Sequence, residues 1–572
     1  MRCIRFARLL AAASVALLGA CAQSGSIPAP LPQTALRDLG ERAPGARVSG
    51  VVVLRDNHYD ELVARVDAMA DPDSASFHRF VTPEAFMERY APTAQQQQSV
   101  IAALRSGGFS IDRTYPNRGL IDVSASSADA ERFFSTAIHD FDLGGTRRFG
   151  NVEPLVVPQA IAPYVLGAIL NDWESARADS ALLGNAPRGL RRPAPVRRAQ
   201  GNPLGNGPGK PLPDVPAPYP YSSAWSPYDL ADAFDFPVQS GWNGAGVSAG
   251  IIIDSNVKSS DLAKYFRSFK IHRTGTIVQK DVLGPPNSGD ALEATLDTET
   301  IAGLAPAADV IVYVIPDLLF THMADGFNAV VAAHAVKLVN SSFGACDQED
   351  VAFDEATEQT VVNGNALGMT FSASSGDQGV MCYDTPYQKG VEAPASDPHV
   401  SALGGNQSVT SMTSSRAWNT CTVPNVNHKD CATNGGISSH WTLPSYQQGI
   451  AGSFASKLRR NVPDLAFPAY DDYIVLDGQG EWIVGTSWAS PTYVALMVQA
   501  AQACKTSFGA ANVTTYALLR KLGEGVVTED VVSGNNNYHG NVGYTAGKGF
   551  DDTTGLGLPL GSTYAAAMCK KR

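Results

Sequence analysis

The feature that most constrains the fold is an alternation of apolar, β-branched runs with helical segments in the second half of the chain. The runs cover residues 246–254, 310–315, 338–342 and 369–374, and the helical segments include 324–335 and 353–364. Runs of this composition are typical of buried parallel strands. The alternation predicts a doubly wound α/β sheet, in which ligand sites lie beyond the carboxyl ends of the strands.

A candidate nucleophile follows a further apolar run, residues 482–484. The heptad GTSWASP, residues 485–491, has the pattern of a strand that ends, turns at a serine and continues as a helix. Ser487 would then lie at a helix N-terminus, where free backbone N–H groups and the helix dipole face an incoming carbonyl oxygen. Taken alone, the same pattern is also that of an ordinary helix cap.

Three acidic residues are candidates to assist such a serine. Glu293 and Asp297 are four residues apart on a predicted helix, so both carboxyls lie on one face and their titrations are coupled. Asp377 lies in a glycine-flanked loop, SSGDQG, directly after a buried strand. The alternatives are a solvated acidic helix face for the pair and a turn residue for Asp377. The histidines of residues 216–572 are scattered, and none lies in a sequence typical of a catalytic base.

The chain is long enough for two folded units. It has 572 residues and a net charge of −12, without a basic stripe, so nucleic acid is not an expected partner. Residues 22–172 have the strand and helix pattern of a small α+β domain, and residues 216–572 form the α/β unit. Between them, residues 173–215 are rich in proline, glycine and arginine, which predicts an exposed, flexible linker of the kind that proteases cut. Contact of this basic linker with anionic lipid is the alternative.

The first 21 residues have the pattern of an export signal. Three arginines precede a short apolar run, and the sequence LGAC ends at Cys21. This pattern predicts a lipoprotein-type signal peptide whose cysteine is acylated, which would anchor the mature protein to a membrane; an ordinary signal peptide is the alternative.

Six further cysteines favour disulfides over zinc, because an exported chain meets an oxidising environment and no C-x2-C spacing occurs. Among the fifteen possible connectivities we choose the pairing of neighbours along the chain, Cys346–Cys382, Cys421–Cys431 and Cys504–Cys569.

Together these residues resemble the sedolisins, the serine-carboxyl peptidases related to subtilisin. The resemblance covers nearly everything after residue 45. In the first domain it rests on TPEAF (82–86), RY (89–90) and GGF (107–109); in the second it rests on SPYDL (226–230), the Glu293 and Asp297 pair, SSGDQG (374–379), PASDP (394–398), VPD (462–464), GTSWASP (485–491) and YTAGKGFD (544–551).

The resemblance implies a fold and a mechanism. The fold is a subtilisin-like, doubly wound parallel sheet preceded by a ferredoxin-like activation prodomain, which assists folding and covers the cleft until the linker is cut. Ser487 would be the nucleophile, Glu293 its general base, Asp297 the group that orients the base, and Asp377 an oxyanion donor. A carboxylate base has a reference pKa near ~4.3 against ~6.5 for histidine, so activity is expected in acid.

The same resemblance implies one structural calcium ion near the C-terminus. Its ligands would be the carboxylates of Asp530 and Asp551 and the backbone carbonyls of Val531, Gly547 and Gly549, an all-oxygen set that suits a hard cation.

Three positions depart from the family pattern: Val484, Trp488 and Gln378. Trp488 would either narrow the substrate cleft or pack in the core.

The function predicted from the sequence is an exported, acid-active serine-carboxyl endopeptidase made as a zymogen, acting on proteins or peptides. We further expect acid to protonate carboxylates that hold the prodomain in place. Two alternatives remain: a histidine-dependent subtilisin of the same fold, and a catalytically inactive surface lipoprotein that uses the scaffold for binding.

Overall fold

A computed structural model describes residues 26–30, 36–173, 176–178, 180–182, 202–215, 225–347, 349–382, 389–407, 415–422, 430–523 and 525–569. The predicted signal peptide, residues 1–21 with Cys21, lies outside the described residues. In the described part of the chain, no helix combines the length and the apolar character that crossing a membrane would need.

The N-terminal domain is an α+β unit. Its helices are α1 (Tyr59–Ala70), α2 (Pro83–Arg89), α3 (Ala94–Ser106) and α4 (Ser127–Phe134), with a 3-10 turn at Ala162–Tyr164. Its strands are β1 (Ser26–Ile27), β2 (Leu36–Glu41), β3 (Arg47–Leu54), β4 (Ser110–Thr114), β5 (Leu120–Ser126), β6 (Ile138–Leu143), β7 (Thr146–Asn151), β8 (Leu155–Val156) and β9 (Val165–Ile169).

Local sequence signals set the starts of these helices. Thr82 accepts a hydrogen bond from the Ala85 amide with Pro83 in the first turn, and Thr93 forms a reciprocal capping box with Gln96. The main sheet has the antiparallel order β4-β5-β3-β9. With helices connecting β3 to β4 and β5 onward to β9, this is the ferredoxin-like arrangement, so that prediction is confirmed. A second sheet, β2-β6-β7, extends the domain.

The segment after this domain differs from the prediction. We expected residues 173–215 to be exposed and without secondary structure. Instead, β10 (Arg177–Ala178) and β11 (Ala181–Leu182) pair antiparallel with two strands of the C-terminal domain, and Leu212 is buried. The backbone around these strands contains no proline, so its N–H and C=O groups can complete two open strand edges.

The C-terminal domain contains eight helices in its described residues: α5 (Pro227–Ala233), α6 (Ser259–Ser268), α7 (Leu292–Leu304), α8 (Phe320–Ala333), α9 (Val351–Ala366), α10 (Thr486–Cys504), α11 (Ala511–Leu522) and α12 (Gly561–Met568). Short 3-10 turns lie at Pro237–Ser240 and Ser445–Gln447. The strands are β12 (Ser248–Ile253), β13 (Ile277–Asp281), β14 (Asp309–Val314), β15 (Leu338–Ser341), β16 (Phe343–Cys346), β17 (Thr370–Ser374), β18 (Glu392–Ala393), β19 (Ser401–Gln407), β20 (Arg416–Ala417), β21 (Gly436–Thr442), β22 (Gly452–Ser453), β23 (Arg459–Val462), β24 (Leu465–Pro468), β25 (Tyr470–Leu476), β26 (Gln479–Val484), β27 (Thr528–Glu529), β28 (Phe550–Asp551) and β29 (Leu558–Pro559).

The central sheet has the order β13-β14-β12-β15-β17-β19, with β24 also beside β19. These seven strands are parallel to one another, and only the short β20 is antiparallel. Helices α7 and α10 cover one face, and α8 and α9 cover the other. The predicted doubly wound sheet is therefore confirmed. One detail differs: β26, which precedes the candidate nucleophile, belongs to a separate antiparallel sheet with β25 and β11.

The two domains pack through the face formed by α8 and α9. The Gln359 side chain accepts a hydrogen bond from the Asp56 amide and donates one to the Leu54 carbonyl, at 3.0 and 2.8 Å. At a second point, the Tyr115 hydroxyl donates to Asp325 at 2.7 Å. The N-terminal domain thus covers helices on the side of the sheet opposite α7 and α10.

Three disulfides are present, Cys346–Cys382, Cys421–Cys431 and Cys504–Cys569. The pairing of neighbours along the chain is confirmed.

Candidate active site

Ser487 lies where the sequence pattern predicts, at the second residue of α10. The preceding Gly485 has φ 144°, a conformation that favours glycine, and its amide donates to the Ala469 carbonyl at 3.0 Å. These features turn the chain sharply from β26 into the helix. The Ser487 side chain is buried in this state of the molecule.

Ser342 joins the nucleophile turn to the acidic helix. Its hydroxyl donates to Asp297 Oδ1 at 2.7 Å, and its oxygen lies 3.5 Å from the Ser487 backbone carbonyl. The Ser487 hydroxyl in turn lies 3.5 Å from the Ser342 carbonyl. Asn340 donates to the Ser342 hydroxyl at 2.9 Å and accepts from Ser490 at 2.7 Å. A continuous hydrogen-bond network therefore connects α7, the end of β15 and the start of α10.

The acidic pair is not on a solvated face. Helix α7 is buried nearly all round: Glu293 is 4% exposed and Asp297 is fully buried. Burial raises the pKa of Asp297 well above its usual range, while the bonds from Ser342 and Asn340 act in the opposite direction. A buried carboxyl with a raised pKa is typical of functional sites rather than of solvent-facing helices.

Glu293 is in contact with the segment that joins the domains. The Ser180 hydroxyl donates to Glu293 Oε2, and the next residue, Ala181, pairs with Val484 just before the nucleophile turn. Four residues earlier, Arg177 pairs with Gly344 of β16. Strands β10 and β11 therefore lie along β16 and β26, and Ser180, just before β11, contacts the candidate base.

Asp377 is held against the same turn from the other side. The backbone N–H and the hydroxyl of Thr486 both donate to Asp377 Oδ1, at 2.7 and 2.8 Å, and the Gly376 amide donates to the Thr486 hydroxyl at 3.0 Å. The Asp377 carboxyl is thus fixed beside the residue that precedes Ser487.

Some residues of this network were not found by sequence reasoning. Ser342, Asn340 and Thr486 have no motif of their own; the only available signal is that they end strands or adjoin the serine.

Of the two possibilities for Trp488, the structure shows packing in the core. The side chain is almost fully buried and packs edge-on against Trp225, with 6.3 Å between the ring centroids.

Histidines of the described region that pair with carboxylates do so elsewhere. His139, His322 and His399 contact Asp38, Asp317 and Glu358, respectively. None of these three partners is one of the acidic residues around Ser487.

The predicted calcium ligands lie in one loop region. The Gly547 amide donates to Asp551 at 2.9 Å and the Gly549 amide to Asp530 at 2.8 Å, so both carboxylates meet the same glycine turn; Val531 is buried beside them. The adjoining Asp552 is buried, and its Oδ1 has no hydrogen-bond partner within the described residues. An all-oxygen, acidic set with an unsatisfied buried oxygen fits a hard cation.

Comparisons with known proteins bear on the family of the chain. The family model "Pro-kumamolisin, activation domain" matches residues 34–169. Sedolisin of Pseudomonas sp. (strain 101) is 30% identical over 560 residues, which cover 93% of this chain and 88% of that protein. Kumamolisin of Bacillus sp. (strain MN-32) is 28% identical over 555 residues, 93% of each chain. Among solved structures, Pseudomonas sedolisin complexed with two molecules of pseudo-iodotyrostatin superposes with a TM-score of 0.52 at 28% identity, covering 60% of this chain and 97% of that one.

Proposed function

The chain belongs to the sedolisin family of serine-carboxyl peptidases and has the family's activation domain, and from this we propose that it is an acid-active endopeptidase made as a zymogen. The observation that carries the proposal is the Ser342 network, because one hydroxyl touches both Asp297 and the backbone of Ser487. It brings the acidic helix and the candidate nucleophile into one hydrogen-bonded unit.

The reaction assigned to these residues is acyl transfer. Ser487 Oγ attacks the carbonyl carbon of the substrate peptide bond, and Glu293 takes the hydroxyl proton and returns it to the leaving amine. Water then attacks the acyl-enzyme with Glu293 again as base, releasing the acid product. Asp297 holds Glu293 in position, and protonated Asp377 donates a hydrogen bond to the oxyanion.

This assignment predicts activity in acid. The base has to be ionised and the oxyanion donor protonated, and both conditions hold together only where carboxyl groups titrate. Loss of one oxyanion donor typically lowers the rate on the order of 100 to 1000-fold, so activity should nearly vanish near neutral pH.

The zymogen is blocked by its own chain. Strands β10 and β11 occupy the two edges, β16 and β26, between which a substrate would extend, and Ser180 contacts the base. Processing would have to release this segment, so we propose that the cut lies C-terminal to Leu182, within the predicted linker 173–215.

The accessory features are proposed from the sequence. One calcium ion would be held by Asp530, Val531, Gly547, Gly549 and Asp551, where it would order the turn and supply no chemistry. The chain would be exported, with a lipid anchor at Cys21 if the signal is processed as a lipoprotein's, and residues 1–21, 22–172, 173–215 and 216–572 would be signal, prodomain, linker and peptidase.

The test is the size of the purified chain after incubation from pH 3 to pH 8, with Ser487→Ala and the isosteric Glu293→Gln beside the wild type. We expect the wild type to shorten only in acid to about the mass of residues 200–572, and both variants to stay whole. Processing by Ser487→Ala at the wild-type rate would contradict the assignment, and processing by Glu293→Gln would favour another base.

The inactive binding scaffold is the second candidate. If the wild type stays whole at every pH, trypsin can cut the arginine-rich stretch 188–198, and a peptide-cleavage assay on the nicked chain then decides. Cleavage in acid would support a peptidase that needs another protease for activation, and its absence at every pH would support the scaffold.

A further inference from the structure

A second cluster of chemically reactive groups lies away from the active site, at the contact between the two domains. It consists of Glu358 on α9 and of Asp397 and His399 on the loop before β19, all buried. One ligand-type atom from each of the three lies within 4.8 Å of the others. Helix α1 of the N-terminal domain covers the cluster and brings Asp67 to it.

The contacts within the cluster leave two oxygens without a donor. His399 Nδ1 lies 2.8 Å from Glu358 Oε1, and the His399 amide donates to Asp397 Oδ1 at 2.7 Å. Glu358 Oε2 and Asp397 Oδ2 are buried, and among the described residues no donor reaches either oxygen except a proton that the two carboxyl groups would share with each other. Two such oxygens repel unless a positive charge lies between them, either a shared proton or a metal ion.

From this geometry we infer that Glu358, Asp397 and His399 form a zinc site at the junction of the prodomain and the catalytic domain. The donor set is one imidazole nitrogen and two carboxylates, which is typical of Zn²⁺ and leaves a fourth position for water. The imidazole argues against Ca²⁺ and Mg²⁺, which prefer oxygen ligands only. The site is separate from the calcium loop and from the residues assigned to catalysis.

Asp67 is a positioning residue in this arrangement. Its Oδ1 lies 3.5 Å from His399 Nε2, the ring nitrogen that faces away from Glu358. A carboxylate on the second nitrogen of a metal-binding histidine fixes the ring and raises its basicity, and its removal typically weakens metal binding 10 to 100-fold. Because Asp67 belongs to the prodomain, the zymogen should bind zinc more tightly than the processed enzyme.

The experiment uses the full-length chain with Ser487→Ala, without a histidine tag, stripped by a chelator and resupplied with excess Ca²⁺ to fill the other site. Zinc chloride is titrated at pH 7 by calorimetry, and bound metal is counted after gel filtration. We expect one zinc per chain, at least tenfold weaker binding in His399→Gln, and unchanged binding in the matched His322→Gln, whose ring contacts Asp317 instead. The proposal would be overturned if the parent chain bound no zinc, or if His399→Gln bound zinc equally well. A proton shared by the two carboxyl groups would then be the explanation of their contact.

Two further measurements keep the test decisive if His399→Gln does not fold. X-ray absorption of the zinc-loaded parent should show a single imidazole with oxygen ligands; a shell with no imidazole, or with more than one, would overturn the assignment. Asp67→Asn should weaken zinc binding about tenfold, as expected for a lost outer-shell partner. Asp73→Asn, which removes a prodomain carboxylate paired with Lys521, is the control and should leave zinc affinity unchanged. Equal effects of the two aspartate variants would contradict the positioning role.

Discussion

Ser342 is the residue on which the proposed mechanism depends most among those outside the assigned catalytic set. Its hydroxyl is one of two donors that oppose the effect of burial on Asp297, the other being Asn340. Without it, buried Asp297 would lose a donor, and the 3.5 Å contact of the Ser342 hydroxyl with the Ser487 backbone carbonyl would be lost.

We therefore expect Ser342→Ala to reduce kcat by roughly 10 to 100-fold, equivalent to about 1.4 to 2.7 kcal/mol of transition-state stabilisation. KM should change little, since the hydroxyl faces Asp297 and the Ser487 backbone rather than the cleft. The neighbouring Ser341→Ala is the control, because that hydroxyl donates to the Ser372 carbonyl within the sheet. Steady-state kinetics on the acid-processed enzymes measures both, and an equal loss in the two variants would show a general effect on the sheet.

Sequence reasoning could single out Ser487, Glu293, Asp297 and Asp377, because each lies in a short pattern with a chemical meaning. It could not distinguish a buried acidic helix from a solvated one. Helix α7 has carboxylates on several sides, and only its packing beneath α10 and β25 shows that they are buried. Ser342 could not be found for the same reason: its function comes from neighbours that are distant in the sequence.

At the scale of elements, the proposed block of the substrate cleft in the zymogen depends on the pairing of β11 with β26. Antiparallel pairing depends on backbone N–H and C=O groups, and side-chain contacts of Ser180 with Glu293 and of Arg177 with Asp430 add to it. A peptide with this sequence should occupy the same edge when it is supplied separately.

We expect a synthetic peptide of residues 174–184 to compete with a chromogenic substrate for the processed enzyme, raising the apparent KM and leaving kcat unchanged. The same peptide with Ala181→Pro lacks one backbone donor and should bind at least about tenfold more weakly, as expected for loss of a pairing hydrogen bond together with a steric clash. Inhibition that lowers kcat instead, or equal inhibition by the two peptides, would place the segment outside the cleft.

The glycine turn at 547–549 provides another test at this scale. Calcium bound to the folded chain but not to the unfolded chain raises Tm, and at 100 times its Kd it contributes about 2.7 kcal/mol. We expect chelation to lower the Tm of the Ser487→Ala chain and Asp551→Asn to abolish the response to added calcium. Asp309→Asn, at the first residue of β14 in the central sheet, should respond like the parent. If Asp551→Asn still responded to calcium, the ion would have to bind at another site.

At the scale of the whole molecule, the interface between the domains contains carboxyl groups of two kinds. Asp73 forms a solvent-accessible ion pair with Lys521. Asp122 on β5 and Asp325 on α8 instead hydrogen-bond to each other across the interface, with Arg113, Asp112, His322 and the Tyr115 hydroxyl around them. Burial, and for Asp325 also the charge of Asp122, raises both pKa values.

The Asp122–Asp325 contact has the opposite pH dependence to the one that the acid-release hypothesis needs. A carboxyl whose pKa is raised in the docked state takes up a proton on docking, so its contribution is complete in acid and is lost as pH rises through the raised pKa. Release of the prodomain by acid would therefore have to overcome the Asp122–Asp325 pair, which acid strengthens.

We expect Asp325→Asn, in the Ser487→Ala chain, to raise Tm at pH 7 by about 2 to 4 °C, the shift that corresponds to about 1 kcal/mol in a large domain, and to change it little at pH 4. The amide keeps the bond from Tyr115 and removes the charge repulsion. Asp317→Asn is the matched control: it deletes a carboxylate paired with His322 and should lower Tm at pH 7. A gain from Asp325→Asn that is equal at both pH values would exclude the electrostatic cause.

The sequence also predicts both domain folds, because hydrophobic periodicity specifies strands and helices locally. Such reasoning could not predict which side chains of the two domains contact each other. Asp122 and Asp325 are about 200 positions apart, and nothing in either local pattern indicates that the two side chains meet; the same holds for Ser180 and Glu293.

The disulfide Cys504–Cys569 secures the far end of the helix that carries Ser487, and it can form only late in synthesis. Cys504 is the last residue of α10, the helix that begins next to the candidate nucleophile, and its partner follows 65 residues later at the end of α12. Ribosomal synthesis reaches Ser487 well before it reaches Cys569, and thiols stay reduced until the chain enters an oxidising compartment. A chain whose thiols are still reduced therefore carries Ser487 on a helix whose far end is not covalently secured.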